Sequence, residues 1–496
     1  MKDRVLMARN LASPLFARKS VELLHAELEA HDRLHRVLGP VALTALGVGA
    51  IIGAGIFVLT GLAARDYAGP SLMLSFVLSG LGCALAGLCY AEFAAMIPVA
   101  GSAYTYAYAT LGELLAWIIG WDLVLEYAVA SCAVAHGWSH YFQSFLALFD
   151  IRIPGALAID AFSASPQVLA DAWHIGGVPI VFDLPAAAIV VLLTMVLVIG
   201  IRESSLLNVL IVGLKLGVVL FVIFAGIPHI DPANWHPFFP QGWGGTLRGA
   251  GYVFFAYIGF DSISTHAEEA RHPERDVPLA LLTSLGLCTL LYIAVAAVLT
   301  GMVPTPEINI DAPLAEAFAH YGLGTATFII SLGAVAGITS VLLVMMLSQA
   351  RVLLAMARDG LLPPKVFAAI HPRYRTPYLS TILTGAFVAT VAALFPLKVL
   401  SELVNIGTLF AFVIVCAAVL IMRRTRPEVR RPFRTPLVPL VPLLGIGANL
   451  MLMFSLGWAN WLRLVVWMAI GLAIYAAYGV RHSRLRTGTP RNGSSN

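Results

Sequence analysis

Residues 41–61 read VALTALGVGAIIGAGIFVLTG. No charged residue occurs in this run, and at 1.5 Å per residue its length matches a bilayer hydrocarbon core of about 30 Å. Four glycines, Gly47, Gly49, Gly53 and Gly55, fall within nine residues. Glycine lets the backbone leave helical angles and lets another group approach it closely. Unwound backbone at membrane depth is tolerated only where it is buried in protein or lines a cavity. The amides that follow such a break, around Gly55 and Ile56, would face an anion such as a carboxylate, and the carbonyls before it an ammonium. The same glycines also suit a plain close-packing face between two helices. The run by itself supports both readings equally.

The rest of the chain is of the same kind. Of its 496 residues, 59% are hydrophobic and 12% charged, and mean hydropathy is +0.85. A soluble domain carries roughly 25% charged residues, so this composition excludes a water-covered globule and points to an all-α polytopic membrane protein. Twelve apolar spans are expected at about 41–62, 70–96, 113–148, 184–201, 205–227, 247–267, 278–302, 323–350, 377–396, 400–422, 437–457 and 460–480. The third exceeds one membrane thickness, so part of it tilts or leaves the hydrocarbon. Before it, residues 98–112 suit a connector with a short interfacial helix. The five cysteines, Cys83, Cys89, Cys132, Cys288 and Cys416, all lie in apolar stretches and read as small packing residues. The first 35 residues contain acids and histidines and do not read as a signal peptide.

Positive charge is sorted by side. With an even number of spans both termini share one face, and that face receives 25 Lys and Arg, including Arg423, Arg424, Arg426, Arg430, Arg431 and Arg434 in one loop. The other face receives Arg65, Arg152, Arg248, Lys398 and Arg463. The rule that cytoplasmic loops carry the excess puts both termini in the cytoplasm. The formal net charge of +4 thus carries topology information and not a nucleic-acid footprint. Residues 1–40 form a cytoplasmic tail in which residues 20–38 suit an amphipathic surface helix, with Val21, Leu24 and Leu28 on one face, or else a largely disordered segment. Residues 481–496 read as a disordered cytoplasmic tail.

Span six shifts the balance on span one. It reads GAGYVFFAYIGFDSISTHAEEA over residues 249–270, with aromatics around Gly259 and Asp261 at membrane depth. A carboxylate there is costly and faces a cavity or a partner. The two glycine-broken segments are five spans apart, the separation that inverted five-helix repeats with a discontinuous first helix would give. Other charges within spans are few. Lys215 lies in NVLIVGLKLGVVLFVIF and either snorkels to the interface or sits buried, paired or neutral, where it can exchange a proton. Asp122 and Glu126 are four apart on one face of span three. His136 and His140 are also four apart, but with no third ligand in view they read as packing or polar-network residues; no metal site is expected.

Three segments carry a resemblance. GVGAIIGAGIFVLTG in span one, YAEFAAMIPVAGSAYTYAYATLGELLAWIIGWDLVLEYAVA over residues 90–130 and FFAYIGFDSISTHAEEARHPERDVP over residues 254–278 resemble the amino acid–polyamine–organocation superfamily, specifically its cationic amino acid transporter branch and the bacterial members of that branch. The likeness covers roughly residues 35–480. It implies twelve transmembrane helices in a transporter domain over 41–480: a 5+5 inverted repeat (about 41–227 and 247–422) with discontinuous helices 1 and 6, then two C-terminal helices over 437–480. It also implies amino acid transport by alternating access. By the same likeness the substrate backbone sits against Ile51, Gly53, Ala54, Gly55 and Ile56 in span one and Phe255, Ala256 and Ile258 in span six. Glu126 lines the pocket toward the substrate side chain, and Lys215 matches the lysine that replaces a sodium ion in proton-coupled relatives. Tyr257, Asp261 and Asp122 are candidates for gating or a polar network. Where many relatives carry a hydroxyl residue between the span-one glycines, this chain has Ala54, which removes one side-chain contact to a carboxylate and leaves the backbone amides.

The expected function is therefore an amino acid permease of the bacterial inner membrane. It would take up cationic or neutral amino acids with protons as the coupling ion and without another cofactor, with a small single-span accessory subunit as an additional partner the resemblance allows. An amino acid exchanger is the alternative, and a channel or non-transporting receptor a remote one. No nucleophile–base pair, metal cluster or phosphate loop argues for an enzyme, and Gly53–Gly55 lacks the strand–turn context of a nucleotide fingerprint.

Overall fold

The structure is a computed structural model that describes residues 38–96, 102–200, 205–265 and 270–487. It is helical apart from one small hairpin. The principal helices are α1 (Pro40–Ile51), α2 (Leu72–Met96), α3 (Glu113–Val124), α4 (Ala130–Ala147), α5 (Leu184–Ile199), α6 (Ser205–Gly226), α7 (Gly242–Val253), α8 (Pro273–Met302), α9 (Gly324–Arg358), α10 (Tyr378–Leu394), α11 (Leu397–Thr425), α12 (Leu440–Ser455) and α13 (Trp458–Ile474). A π-turn at Leu125–Val129 joins α3 to α4, making one helix over 113–147. Among the described residues, seven helices are long and apolar enough to cross a bilayer, and α1, α5, α10 and α12 are shorter apolar helices. The protein is thus an all-α multi-pass membrane protein. At 35 residues, α9 is about 52 Å long, more than the hydrocarbon needs, so it tilts or protrudes.

Small residues and hydroxyls hold the interior, as expected where lipid supplies no hydrophobic drive between helices. Ser71, just before α2, and Ser75 and Ser79 within it recur every four residues and face α7. Ser71 shares a hydrogen bond of 2.7 Å with Thr246, Ser75 donates to the Thr246 carbonyl at 2.8 Å, and Ser79 donates to the Ala250 carbonyl at 2.5 Å. This row fixes α7 against α2 just before α7 ends. Apolar side chains such as Leu290 and Phe454, each 68% exposed, point outward where lipid covers them.

The face that carries the described chain ends is tied by ion pairs. Glu92, at the end of α2, takes Arg423 through both oxygens at 3.0 and 2.7 Å, Arg431 at 3.2 Å, and the Thr435 amide at 2.8 Å. It therefore anchors the whole 423–435 loop. Glu113, fully buried at the start of α3, accepts from Tyr475 at 2.8 Å and from Ser483, and pairs with Arg486 at 3.0 Å. The disorder expected from residue 481 accordingly does not hold as far as 487: Val480–His482 and Arg484–Thr487 are short helices docked under α3. Residues 488–496, and the amphipathic segment expected at 20–38 except for its last residue, lie outside the described residues. Leu38 itself forms a parallel bridge to Ala270, with the Arg271 amide donating to its carbonyl at 2.9 Å. The short helix expected over 98–112 is Ser102–Thr110, and Ala103, Tyr104, Tyr106, Ala107 and Tyr108 of it are buried. On the opposite face the α4–α5 connection contains a hairpin that periodicity did not suggest, β1 (Trp173–Ile175) and β2 (Val178–Ile180), turning on Gly176 and Gly177 at positive φ.

Candidate functional site

The first apolar run is interrupted at Ile52 and Gly53. Ile52 has ψ 105°, and a π-turn over Gly55–Leu59 then leads into Thr60–Ala63. The leading amides of the second half have no intrahelical acceptors. The second interruption follows α7: a 3₁₀ turn over Phe254–Tyr257, Ile258 at ψ 136°, Gly259 at φ 107°, and helix again from Ser262.

The two breaks cross each other. A Cβ on Gly55 would overlap the Ala256 backbone, and one on Gly259 would lie 2.9 Å from the Ala50 carbonyl oxygen. Glycine is required at both: at 55 for close approach, at 259 also for its positive φ. Tyr292 of α8 locks the crossing. Its hydroxyl lies 3.0 Å from the Ile51 carbonyl, the last of α1, and 3.0 Å from the Ala256 carbonyl. Sequence reasoning missed this residue; its only signal was a hydroxyl amid the aliphatic run of α8.

Lys215 is the third part. Its side chain is 1% exposed, and its Nζ donates to the Gly49 carbonyl at 2.7 Å. It does not snorkel. Its stem runs along Gly337 of α9, where a Cβ would lie 3.2 Å from Lys215 Cγ. The long cation fits because α9 has no side chain there, and it ends on a carbonyl two residues before α1 finishes.

The remaining candidates fall into two groups. Ile51, Gly53, Ala54, Gly55, Ile56, Phe255, Ala256 and Ile258 all lie at the breaks and all are buried. Glu126 lies in the π-turn between α3 and α4, within interaction range of Asp261 and Asp122. Asp261 accepts from the Tyr127 hydroxyl at 2.9 Å, a partner the sequence did not single out. Asp122 is 1% exposed, hydrogen-bonds through neither oxygen, and abuts Gly407 of α11. Tyr257 points away from the breaks: its hydroxyl donates to the Phe76 carbonyl of α2 at 2.8 Å, which makes it a strut between α2 and the second break.

Residues 38–474 match the family described as amino acid permease. The chain belongs to that family. The permease is similar over 473 residues, at 46% identity, to the methylthioribose transporter of Bacillus subtilis (strain 168), covering 95% of this chain and 99% of that protein. It is equally similar, 46% over 472 residues, to the branched-chain amino acid permease BcaP of the same organism, with the same coverage. The vacuolar cationic amino acid transporter 4 of Arabidopsis thaliana is 38% identical over 421 residues, 84% of this chain and 68% of that protein. The permease is therefore a transporter and not an enzyme, as its residues suggested.

Proposed function

We propose that the permease imports amino acids with protons through the crossing of the two broken helices. The substrate carboxylate would meet the free amides of Ala54, Gly55 and Ile56, and the ammonium the carbonyls around Phe255, Ala256 and Ile258. The side chain would extend between Phe255 and Glu126. Supporting this reading is the bond from Lys215 to the Gly49 carbonyl: it couples a titratable nitrogen to the helix end that the substrate must touch. A protonated Lys215 holds that end, loss of the proton weakens the hold, and the two arrangements favour opposite openings. The arrangement that accompanies it is twelve spans in a 5+5 inverted repeat followed by two helices, with both termini in the cytoplasm of a bacterial cell.

Uptake into proteoliposomes with and without an inward proton gradient tests the coupling. Accumulation should require the gradient; equal flux without it overturns proton coupling, and flux that requires internal substrate identifies an exchanger. Branched-chain amino acids head the panel because one 46% relative carries them. A second reading has its own support, since another relative of equal identity carries methylthioribose. That compound has neither the ammonium nor the carboxylate the crossing would recognise. Thermal stabilisation of purified protein by methylthioribose and by no amino acid would replace the amino acid reading.

A further inference from the structure

On the face opposite the described chain ends, His136 and His140 lie one turn apart on α4, with ring centroids 4.6 Å apart. No third ligand stands near them along the chain. The fold brings in Asp183, the residue that caps α5, and one ligand atom from each of the three lies within 4.8 Å of the others. The Asp183 carboxylate is completely buried. Its Oδ1 is occupied, accepting from the Ala186 amide at 3.0 Å and the Ser139 hydroxyl at 2.6 Å. Its Oδ2 makes no hydrogen bond and faces His136 Nδ1 at 3.5 Å. The Nδ1 of His140 also makes none, although Asp311 Oδ1 stands 3.2 Å away. Asp160 Oδ2 lies 3.8 Å from His136 Nε2.

A buried polar network normally satisfies its members. A simple His136–Asp183 ion pair accounts for part of this group. A second pair, His140 Nδ1 to Asp311 Oδ1 at 3.2 Å, links this buried group to an exposed carboxylate, and Asp183 Oδ2 still makes no hydrogen bond. Two imidazoles with carboxylates are the donor set of zinc-class ions, and too poor in oxygen for calcium or magnesium.

We propose that His136, His140 and Asp183 bind a divalent transition metal of the zinc class, with Asp311 as the fourth ligand. Tetrahedral bonds of about 2 Å set donor atoms about 3.3 Å apart, so His136, His140 and Asp183 close from 4.8 Å or less and Asp311 swings in from its place beside His140. Asp311 is 59% exposed, which gives the ion an aqueous entrance. The loop that carries Asp311 also covers the second half of the first broken helix, where a Cβ on Gly61 would lie 2.9 Å from the Asn309 carbonyl. A bound ion would fasten that loop to α4 and α5 and stop the outer face from opening. The inhibitory part rests on the transport reading above; binding does not.

Titration of the purified full-length protein with Co²⁺ reads the site directly. One equivalent should produce the visible bands of a four-coordinate ion, displaced by Zn²⁺ and lost in both His140→Ala and Asp183→Asn. The asparagine retains the helix cap, and His140 is partly exposed, so both variants should fold. No Co²⁺ signal, or an unchanged signal in His140→Ala, overturns the site. In proteoliposomes, Zn²⁺ on the face opposite the termini should suppress uptake at least tenfold in the wild type and not in Asp311→Ala; equal suppression in both overturns the clamp. Absence of uptake altogether would count against the transport reading and leave the Co²⁺ result to decide the site.

Discussion

At the scale of single residues, the crossing of the broken helices depends on groups that are missing as much as on groups that are present. Gly55→Ala adds a methyl where the Ala256 backbone already lies, and should abolish substrate-induced thermal stabilisation. Gly286→Ala on α8 is the matched control: nothing lies within 4 Å of its Cβ position, and the change should be silent or stabilise by up to about 1 kcal/mol. Tyr292→Phe keeps the ring against Phe76 and Tyr257 but removes the single hydroxyl proton that the Ile51 and Ala256 carbonyls share. It should lower stability by about 1–3 kcal/mol and slow uptake, read by denaturation and initial rates. Lys215→Ala should reduce gradient-driven accumulation at least about tenfold, a differential contact of about 1.4 kcal/mol, while substrate still raises the melting temperature. Retained accumulation would remove Lys215 from coupling. The lysine was legible because a charge in an apolar span must be accounted for. Tyr292 was not, since a tyrosine among aliphatics reads as core until the two carbonyls it serves are seen.

At the scale of elements, the helical spans were legible because about 20 apolar residues in a row leave few alternatives. Their interruptions are a finer matter. The glycine cluster runs from 47 to 55, and the break falls on Ile52 and Gly53, because α1 holds its own hydrogen bonds through Ile52. The second break is spread over a 3₁₀ turn that its aromatic sequence does not announce. The π-turn that holds Glu126 has no sequence signature at all; it packs against α11 and α9. The hairpin β1–β2 escaped because three-residue strands are too short to show alternation.

At the scale of the whole molecule, what cannot be read from a chain is which distant groups meet. Glu92 gathers two arginines and an amide from a loop over 330 positions away. Glu92→Gln leaves Arg431, 5% exposed, beside a neutral partner. It should cost about 3 kcal/mol, visible as a lower melting temperature, with the substrate-induced shift preserved because the breaks lie elsewhere. Membrane class and family followed from composition and motif. The ties that fix one helix to another did not, because hydrogen bonds between segments hundreds of residues apart leave no local pattern.

The hairpin offers a practical handle. Gly176 and Gly177 both sit at positive φ with nothing within 4 Å of their Cβ positions, at the tip of a ribbon whose Trp173, Ile175 and Val178 are exposed. A short epitope inserted between the two glycines should leave the helices undisturbed. On the proposed topology, antibody should stain intact spheroplasts through that epitope and require permeabilisation to reach one at the C-terminus; the reverse pattern overturns that topology. The same insertion would give a fluorophore a fixed mount from which to follow the loop carrying Asp311 during turnover.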